Sequence, residues 1–259
     1  MIAVFDSGVG GLSVLRHLRT ELPEQDLLYA ADQAWCPYGP KPANELRARI
    51  HRVVQALLET HPDELVVACN TASTLALGEL RERHRDLPIV GMEPAVKPAA
   101  AQTDTGAIGV LATATTAASE RLARLVDRFG RGVDVHVAVP EGLVELVEAG
   151  RGDSPDADAL LRPILEPWRA ARVDAVVLGC THYPFARASI ERVAGPDVAV
   201  VDPAPAVARQ AVRVLPSSAR GPGRTCFLTT GDPAELRRIA ALLVPEGWVT
   251  GAEYGRLAL

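Results

Sequence analysis

Short apolar runs alternate along this chain with longer stretches in which apolar residues recur every three or four positions. The first example combines the apolar run 2–5, a glycine-rich turn at 6–11, and leucines at helical spacing from Leu12 until Pro23. Such a run is typical of a buried strand, and such spacing is typical of an amphipathic helix. Their regular alternation predicts an α/β fold with mainly parallel sheets.

The same two patterns predict the later elements. Further strands are predicted at 27–31, up to Cys69, at 89–91, 107–111 and 133–139, up to Cys180, and at 198–201 and 226–230. Helices are predicted from Asn44 to Leu58, over 71–84, from Thr113 to Gly130, over 143–150, over 153–172 with interruptions at Pro163 and Pro167, after Cys180 through Ile190, from about Ala204, and over 233–244. Around Glu93, Pro94 and Pro98 we predict a crossover between two halves of the chain.

One pattern occurs twice, because an apolar β-branched run ends in Cys69 and a second one ends in Cys180. This weak internal symmetry predicts two similar α/β lobes. We expect the first lobe to comprise 1–93 and 205–259, and the second to comprise 94–204. The C-terminal segment is assigned to the first lobe because alone it is too short to form its own core.

Composition narrows the possible partners of the protein. The chain has 259 residues, a net charge of −5 and only 4% aromatic residues, which argues against a nucleic-acid partner. No apolar run reaches membrane-spanning length, and the N-terminus has no signal-like stretch, so we expect a cytoplasmic protein. In that compartment thiols stay reduced, and four cysteines in a chain this long do not indicate a disulfide framework.

The repeated cysteines are the first candidates for chemistry. Ligands bind at the C-terminal edge of parallel strands, and helix N-terminal amides there favour a thiolate. Two such thiols suit proton removal from one face of a carbon and proton return to the other face. Three alternatives stay open: Cys69 and Cys180 as small buried apolar residues, a metal site formed with His182, and a redox pair. The last two lack the usual C-x-x-C or H-x-x-x-H spacing.

Each reactive thiol needs a neighbouring base or orienting group. His182 and Asp6 are the candidates, although His182 could instead cap or pack a helix, and Asp6 could instead hold the glycine turn. Other polar residues cluster at predicted helix starts, where they can act as N-caps, bind a small anionic substrate, or both. They are Ser7, Asn70, Thr71, Thr113, Thr115, Thr116, Ser119 and Thr181.

The glycine-rich turn offers a hypothesis from a different class. Gly8, Gly10 and Gly11, with Asp32 at the end of the next strand, partly imitate a dinucleotide-binding fingerprint. Ser13 replaces the third glycine, and Asp6 places negative charge where a pyrophosphate would bind. A nucleotide- or metabolite-binding regulator with inert cysteines therefore remains an alternative.

Four motifs taken together resemble a known family. Residues 6–14 (DSGVGGLSV), 37–39 (PYG), 68–73 (ACNTAS) and 179–184 (GCTHYP) are similar to the glutamate racemases of the aspartate/glutamate racemase superfamily. The resemblance implies two flavodoxin-like lobes with an active site between them. It also implies cofactor-independent racemisation of L- and D-glutamate, which supplies D-glutamate for peptidoglycan synthesis.

The resemblance also implies roles for individual residues. Cys69 and Cys180 become the acid/base pair, with Asp6 supporting Cys69, His182 supporting Cys180, and Glu148 as an auxiliary acid. The implied substrate contacts, to which we add the threonines of the predicted helix start at 113–116, are Asp6, Ser7, Tyr38, Gly39, Asn70, Thr71, Thr113, Thr115, Thr116, Thr181 and His182.

Two departures from the family pattern bear on the substrate. Val139 stands where many members have cysteine, and Cys36 is atypical in the loop before Tyr38. Aspartate or another small acidic amino acid is therefore the alternative substrate, and we leave open whether the chain forms a homodimer. We expect no metal and no cofactor: a pyridoxal phosphate enzyme needs a Schiff-base lysine, and Lys41 and Lys97 each lie beside proline in a predicted loop or crossover.

Overall fold

The computed structural model of the chain describes residues 1–216, 221–249 and 251–259. These residues form two compact units, Met1–Met92 with Ala204–Leu259, and Glu93–Pro203. Each boundary lies one residue before the one expected from the sequence. Within the described ranges, no helix is both long and apolar enough to cross a membrane.

The strands form two parallel sheets, which confirms the predicted fold class. In chain order they are β1 (Ile2–Asp6), β2 (Leu27–Ala31), β3 (Glu64–Val67), β4 (Ile89–Gly91), β5 (Ala107–Ala112), β6 (Asp134–Ala138), β7 (Ala175–Gly179), β8 (Ala199–Val201), β9 (Thr225–Thr229) and β10 (Glu253–Arg256). The first unit has the order β10-β9-β2-β1-β3-β4, and the second has the order β6-β5-β7-β8. Every strand pair is parallel.

Both sheets contain the same arrangement of neighbouring strands. The order β2-β1-β3-β4 in the first unit corresponds to β6-β5-β7-β8 in the second. In each case the chain moves to one side of the first strand and then returns to its other side, which makes a topological switch point. Open α/β sheets bind ligands at the carboxyl ends of the strands that flank such a point. These ends are β1 and β3 in the first unit, and β5 and β7 in the second.

Helices cover the two sheets. They are α1 (Leu12–Glu21), α2 (Ala43–Leu58), α3 (Asn70–Arg83), α4 (Val96–Gln102), α5 (Ala114–Ala117), α6 (Glu120–Phe129), α7 (Leu143–Glu148), α8 (Pro155–Ala170), α9 (Arg187–Ala194), α10 (Ala204–Val214), α11 (Pro233–Leu243) and α12 (Glu246–Val249). Short 3₁₀ helices lie at Gln33–Trp35 and Tyr183–Ala186.

Amphipathic helices and two-sided burial of the strands build the core of each unit. The apolar face of α2, which includes Ile50 and Val53, packs with Ala3 and Phe5 of β1. In the second unit, Leu122 of α6 belongs to a cluster with the apolar residues of β5. The central strands are buried along their whole length, as expected for parallel strands covered on both faces.

Prolines lie in two segments where the structure adds to or corrects the prediction. The crossover predicted around Glu93, Pro94 and Pro98 lies where the two units divide, and part of it forms α4, which also contains Lys97. Pro98 lies in the first turn of α4, where its missing N–H has no intrahelical acceptor to lose. The predicted interruptions at Pro163 and Pro167 are absent from α8, which runs through both. Both prolines are exposed, so water can hydrate the carbonyl groups that they leave without a donor.

Other boundaries also differ from prediction. The single helix expected from Thr113 to Gly130 is divided into α5 and α6, because the Ser119 side chain caps α6 by accepting a hydrogen bond from the Leu122 N–H. The helix expected directly after Cys180 is replaced by the 3₁₀ helix Tyr183–Ala186, and α9 begins only at Arg187. The elements α12 and β10 were not predicted.

Candidate active site

Cys69 lies at the switch point of the first sheet, just after β3. It is the N-cap of α3, and its sulfur accepts a hydrogen bond from the Ala72 N–H at 3.4 Å. The Sγ atom also lies 3.7 Å from Ser7 Oγ, and Ser7 directly follows β1. The thiol is 4% exposed. The positive end of the α3 dipole therefore points at this sulfur and stabilises a negative charge on it.

Asp6 is the last residue of β1, and its side chain is fully buried. Its Oδ1 accepts the Gly8 N–H at 2.8 Å, and the Gly8 carbonyl accepts the Tyr29 hydroxyl at 2.6 Å. Holding the glycine turn was the alternative role considered for Asp6, and the structure shows that Asp6 has this role. Asp6 thereby fixes the backbone that presents Ser7 to Cys69.

Gly11 is required by a close approach to Asp6. A Cβ atom at residue 11 would lie 2.7 Å from the Cβ of Asp6 and 3.1 Å from the Tyr29 ring. We therefore expect Gly11→Ala to lower the free energy of unfolding by about 1–3 kcal/mol, the usual cost of overpacking. The matched control is Gly78→Ala, because an added Cβ inside α3 meets nothing within 4 Å. Denaturant unfolding measures both variants, and Gly78→Ala should be about 0.5–1 kcal/mol more stable than wild type. Equal effects of the two substitutions would contradict the close approach at Gly11.

Asn70 is a buried polar residue whose side chain is left unsatisfied in the described structure. It is 2% exposed, and both its amide nitrogen and its amide oxygen are buried with no hydrogen-bond partner. Leaving such groups unpaired costs about 1–3 kcal/mol each, so an orphaned amide at a strand end indicates a ligand that pairs with it. Thr71, the next residue of α3, is equally buried.

Tyr38 and Gly39 lie in the loop between β2 and α2. The Tyr38 ring is buried, and its hydroxyl donates to Asp32 Oδ2 at 2.6 Å. Burial, then Asp32, then a negative charge on Cys69 hold the pKa of the Tyr38 hydroxyl well above its usual range. Tyr38 is therefore neutral at physiological pH and lies within electrostatic reach of Cys69.

Asp32 does not have the role that a dinucleotide-binding fingerprint would give it. Its side chain is fully buried, and its oxygens accept hydrogen bonds from Tyr38, Arg49 and Thr230. A carboxylate with these partners cannot also bind a ribose hydroxyl. Sequence reasoning missed Arg49 and Thr230, because nothing in their local sequence marks them.

Cys180 lies at the switch point of the second sheet, directly after β7. Its Sγ is 3.7 Å from Nδ1 of His182, and the opposite ring nitrogen, Nε2, is 2.7 Å from Oε1 of Glu148. The Cys180 thiol is 5% exposed, and the side chains of His182 and Glu148 are 2% and 18% exposed. Since an ionised carboxylate can only accept, Nε2 is the donor to Glu148, and the other ring nitrogen, Nδ1, faces the thiol.

The two thiols are supported by different groups. Cys69 caps a helix, whereas Cys180 is followed by a turn and the 3₁₀ helix Tyr183–Ala186. The expectation that each cysteine begins a helix is therefore wrong for Cys180, because Pro184 favours the tight turn that follows the strand. Tyr183 is buried, and burial, followed by the charges of Cys180 and Glu145, raises the pKa of its hydroxyl well above the usual range.

The remaining threonines of the second unit lie at the ends of β5 and β7. Thr113 caps α5, where its hydroxyl accepts the Thr116 N–H at 3.3 Å and lies 3.0 Å from the Thr116 hydroxyl. Thr115 is half-buried, and Thr181 is 2% exposed, between Cys180 and His182. The capping role expected of helix-start residues is thus present at Thr113.

Comparisons with known proteins agree on one family. The family model for Asp/Glu/Hydantoin racemase matches residues 11–211. A glutamate racemase of Pseudomonas aeruginosa is 46% identical over 262 residues, covering all of this chain and 97% of the relative. One of Deinococcus radiodurans is 48% identical over 253 residues, covering 95% of this chain and 87% of the relative. The Escherichia coli glutamate racemase, solved with L-glutamate and the activator UDP-MurNAc-ala, matches with a TM-score of 0.88 and 33% identity, covering 99% of this chain and 97% of that one.

Proposed function

Because the chain belongs to the Asp/Glu/hydantoin racemase family, we propose that it interconverts L-glutamate and D-glutamate. The reaction is an isomerisation, and its D-glutamate product would supply peptidoglycan synthesis. One observation carries the proposal: the thiols of Cys69 and Cys180 each follow the equivalent strand, β3 or β7, of two sheets with the same strand order. Equivalent positions suit two groups that exchange roles when the reaction reverses.

The proposed mechanism uses one thiolate and one thiol. The thiolate removes the α-proton from one face of the substrate, and the thiol then donates its proton to the opposite face of the carbanion. At the end of the turnover, the first sulfur carries a proton and the second is a thiolate. The opposite enantiomer uses the two sulfurs in the reverse order, so no proton, electron or cofactor is consumed.

Each thiol has a group that can favour its charged form. Nδ1 of His182 can accept the proton of Cys180, and Glu148 then stabilises the resulting imidazolium ion. For Cys69 the α3 N-terminus stabilises the thiolate, and we propose Asp6 as the second supporting group. The substrate would pair with the orphaned amide of Asn70 and with the hydroxyl and backbone groups of Ser7 and Thr71.

Exchange in D2O tests the proposed function directly. With either enantiomer of glutamate, we expect loss of the α-proton NMR signal together with decay of optical activity. The same assay with aspartate and other small acidic amino acids compares kcat/KM across possible substrates. If no acidic amino acid exchanges its α-proton, the racemase proposal is refuted. If aspartate has a higher kcat/KM than glutamate, aspartate and not glutamate is the substrate.

Glu148 provides a separate test of the Cys180 side of the mechanism. We expect Glu148→Gln to lower kcat about 10- to 100-fold, because an amide cannot stabilise the imidazolium of His182 as a carboxylate does. The control is Glu141→Gln, since Glu141 is exposed and precedes α7. Steady-state racemisation assays over pH should show the loss in the first variant alone; an unchanged kcat in Glu148→Gln would exclude this role.

We further propose that the enzyme acts in the cytoplasm as a homodimer and needs neither metal nor cofactor. Lys97, previously assigned to a crossover, lies in α4 with its ammonium group 5.6 Å from the centre of the Phe129 ring. That position supports the proposal that Lys97 forms no Schiff base. Full activity after dialysis against EDTA and hydroxylamine would agree with the absence of both groups, and sedimentation would test the dimer.

A further inference from the structure

We propose that Asp32 is a positioning residue, which acts through Tyr38 to hold the substrate-binding loop and is itself held by Arg49 and Thr230. The four residues are called the Asp32 cluster below. The inference rests on the proposed function, because Tyr38 and Gly39 are substrate contacts only in that proposal. It adds to the reaction residues that have no direct contact with the substrate.

The acceptor capacity of Asp32 is filled by the cluster itself. Within the described residues, the carboxylate accepts four hydrogen bonds, from the Tyr38 hydroxyl at 2.6 Å, from Nε and Nη2 of Arg49 at 2.9 and 2.6 Å, and from the Thr230 hydroxyl at 2.6 Å. A carboxylate has about four lone-pair sites. Asp32 therefore has no site left for a ligand, and any effect it has on substrate must pass through a partner.

Tyr38 is the partner that leads to the active site. Asp32 directly follows β2, whereas Tyr38 lies six residues later, in the loop that precedes α2. A charge-assisted hydrogen bond of 2.6 Å between these two residues fixes the loop against the end of the strand. Because Tyr38 is 2% exposed, its ring has little freedom to change rotamer while this bond persists.

The other members of the cluster come from distant parts of the chain. Arg49 lies on α2 and is 5.1 Å from the centre of the Trp35 ring, so the loop and helix are joined through it. Thr230 follows β9 and lies outside the region that the family model matches. Its hydroxyl donates to Asp32 and accepts the Ala34 N–H at 3.2 Å. The C-terminal segment thereby contributes to the geometry of a loop near residue 38.

A double-mutant cycle tests whether Asp32 acts through Tyr38. We expect Asp32→Asn to raise the KM for glutamate roughly 10-fold or more, with kcat within about 3-fold of wild type, because the loop is used in binding and not in proton transfer. Tyr38→Phe should raise KM similarly. In the double variant KM should not exceed that of the worse single variant, since both substitutions break the same interaction.

Two further variants keep the test decisive. Thr230→Val keeps the side-chain shape and all charges, so we expect it to fold even if Asp32→Asn does not. It should raise KM about 2- to 5-fold, while Thr230→Ser stays near wild type. Glu79→Gln is the matched control, because this surface carboxylate also pairs with an arginine and a histidine of α2. The KM of the Glu79→Gln variant for glutamate should equal that of wild type.

The outcomes separate this inference from the proposed function. A wild-type protein without glutamate exchange would refute the function itself. An active wild type would overturn the positioning role if KM rose multiplicatively in the double variant, or if Thr230→Val and Thr230→Ser behaved alike. A fall in kcat at constant KM would also overturn it, because that result would place Asp32 in the proton-transfer steps.

Discussion

Replacing either Cys69 or Cys180 with alanine should abolish racemisation, with kcat falling by at least about 10³-fold for both enantiomers. The reason is that inversion needs a base on one face of the α-carbon and an acid on the other, and each variant retains only one of these groups. Both thiols are buried at strand ends, so circular dichroism of each variant should first show that the fold is retained. Racemisation followed by circular dichroism measures the loss.

Isotope exchange makes this prediction sharper. One enantiomer points its α-proton toward the remaining thiolate. That thiolate can still remove this proton and return a deuteron to the same face of the carbon. We therefore expect Cys69→Ala to retain slow exchange without inversion for one enantiomer, and Cys180→Ala to do so for the other. This mirror-image result would not arise if one cysteine served only as a structural residue.

The other two cysteines provide the controls. Cys36 and Cys226 form no disulfide bond in the described structure, and both are half-buried. Burial, followed by the charge of Glu253, raises the pKa of the Cys226 thiol. Alanine at either position should leave kcat within about 2-fold of wild type, because neither thiol takes part in the proposed proton transfer. Inversion of glutamate by Cys180→Ala at the wild-type rate would rule out the two-base mechanism.

The alternation of apolar runs and amphipathic segments was sufficient to predict the fold class and most elements, because parallel strands buried on both faces have a strong sequence signal. Errors occurred where proline has different effects in different contexts. Pro98 is tolerated in the first turn of α4, and Pro163 is tolerated on the exposed face of α8, whereas Pro184 accompanies a 3₁₀ turn. These outcomes depend on tertiary packing, which local sequence does not encode.

Some residues of the candidate site could be predicted from local sequence, and others could not. Cys69 and Cys180 could be identified from a repeated pattern, and His182 from its position two residues after Cys180. Glu148 came only from the resemblance, because its contact with His182 joins residues 34 positions apart. The hydrogen bond between Thr230 and Asp32 joins residues 198 positions apart, and no local sequence pattern predicts it.

Glu64 is expected to lower the stability of the protein progressively as pH rises from about 4.5 to about 8. It begins β3, its side chain is fully buried, and both carboxyl oxygens are buried without a hydrogen-bond partner in the described structure. Burial raises the pKa of Glu64 from 4.5 to about 8. Below the unfolded-state value, both states are protonated, so the buried neutral carboxyl is tolerated and the stabilising effect of the proton is complete.

As pH rises from about 4.5 to about 8, Glu64 loses its proton in the unfolded chain first, and the free energy of unfolding falls by up to about 1.4 kcal/mol per pH unit. The loss should end above the folded-state pKa, after a total on the order of 3–5 kcal/mol. Since glutamine cannot ionise, we expect the free energy of unfolding of Glu64→Gln to exceed that of wild type by an amount that grows between pH 4.5 and 8. Urea unfolding at several pH values measures the difference, and exposed Glu59→Gln should show a constant offset. If the difference for Glu64→Gln also stays constant with pH, Glu64 ionises in the folded protein as easily as in the unfolded chain, and burial does not raise its pKa.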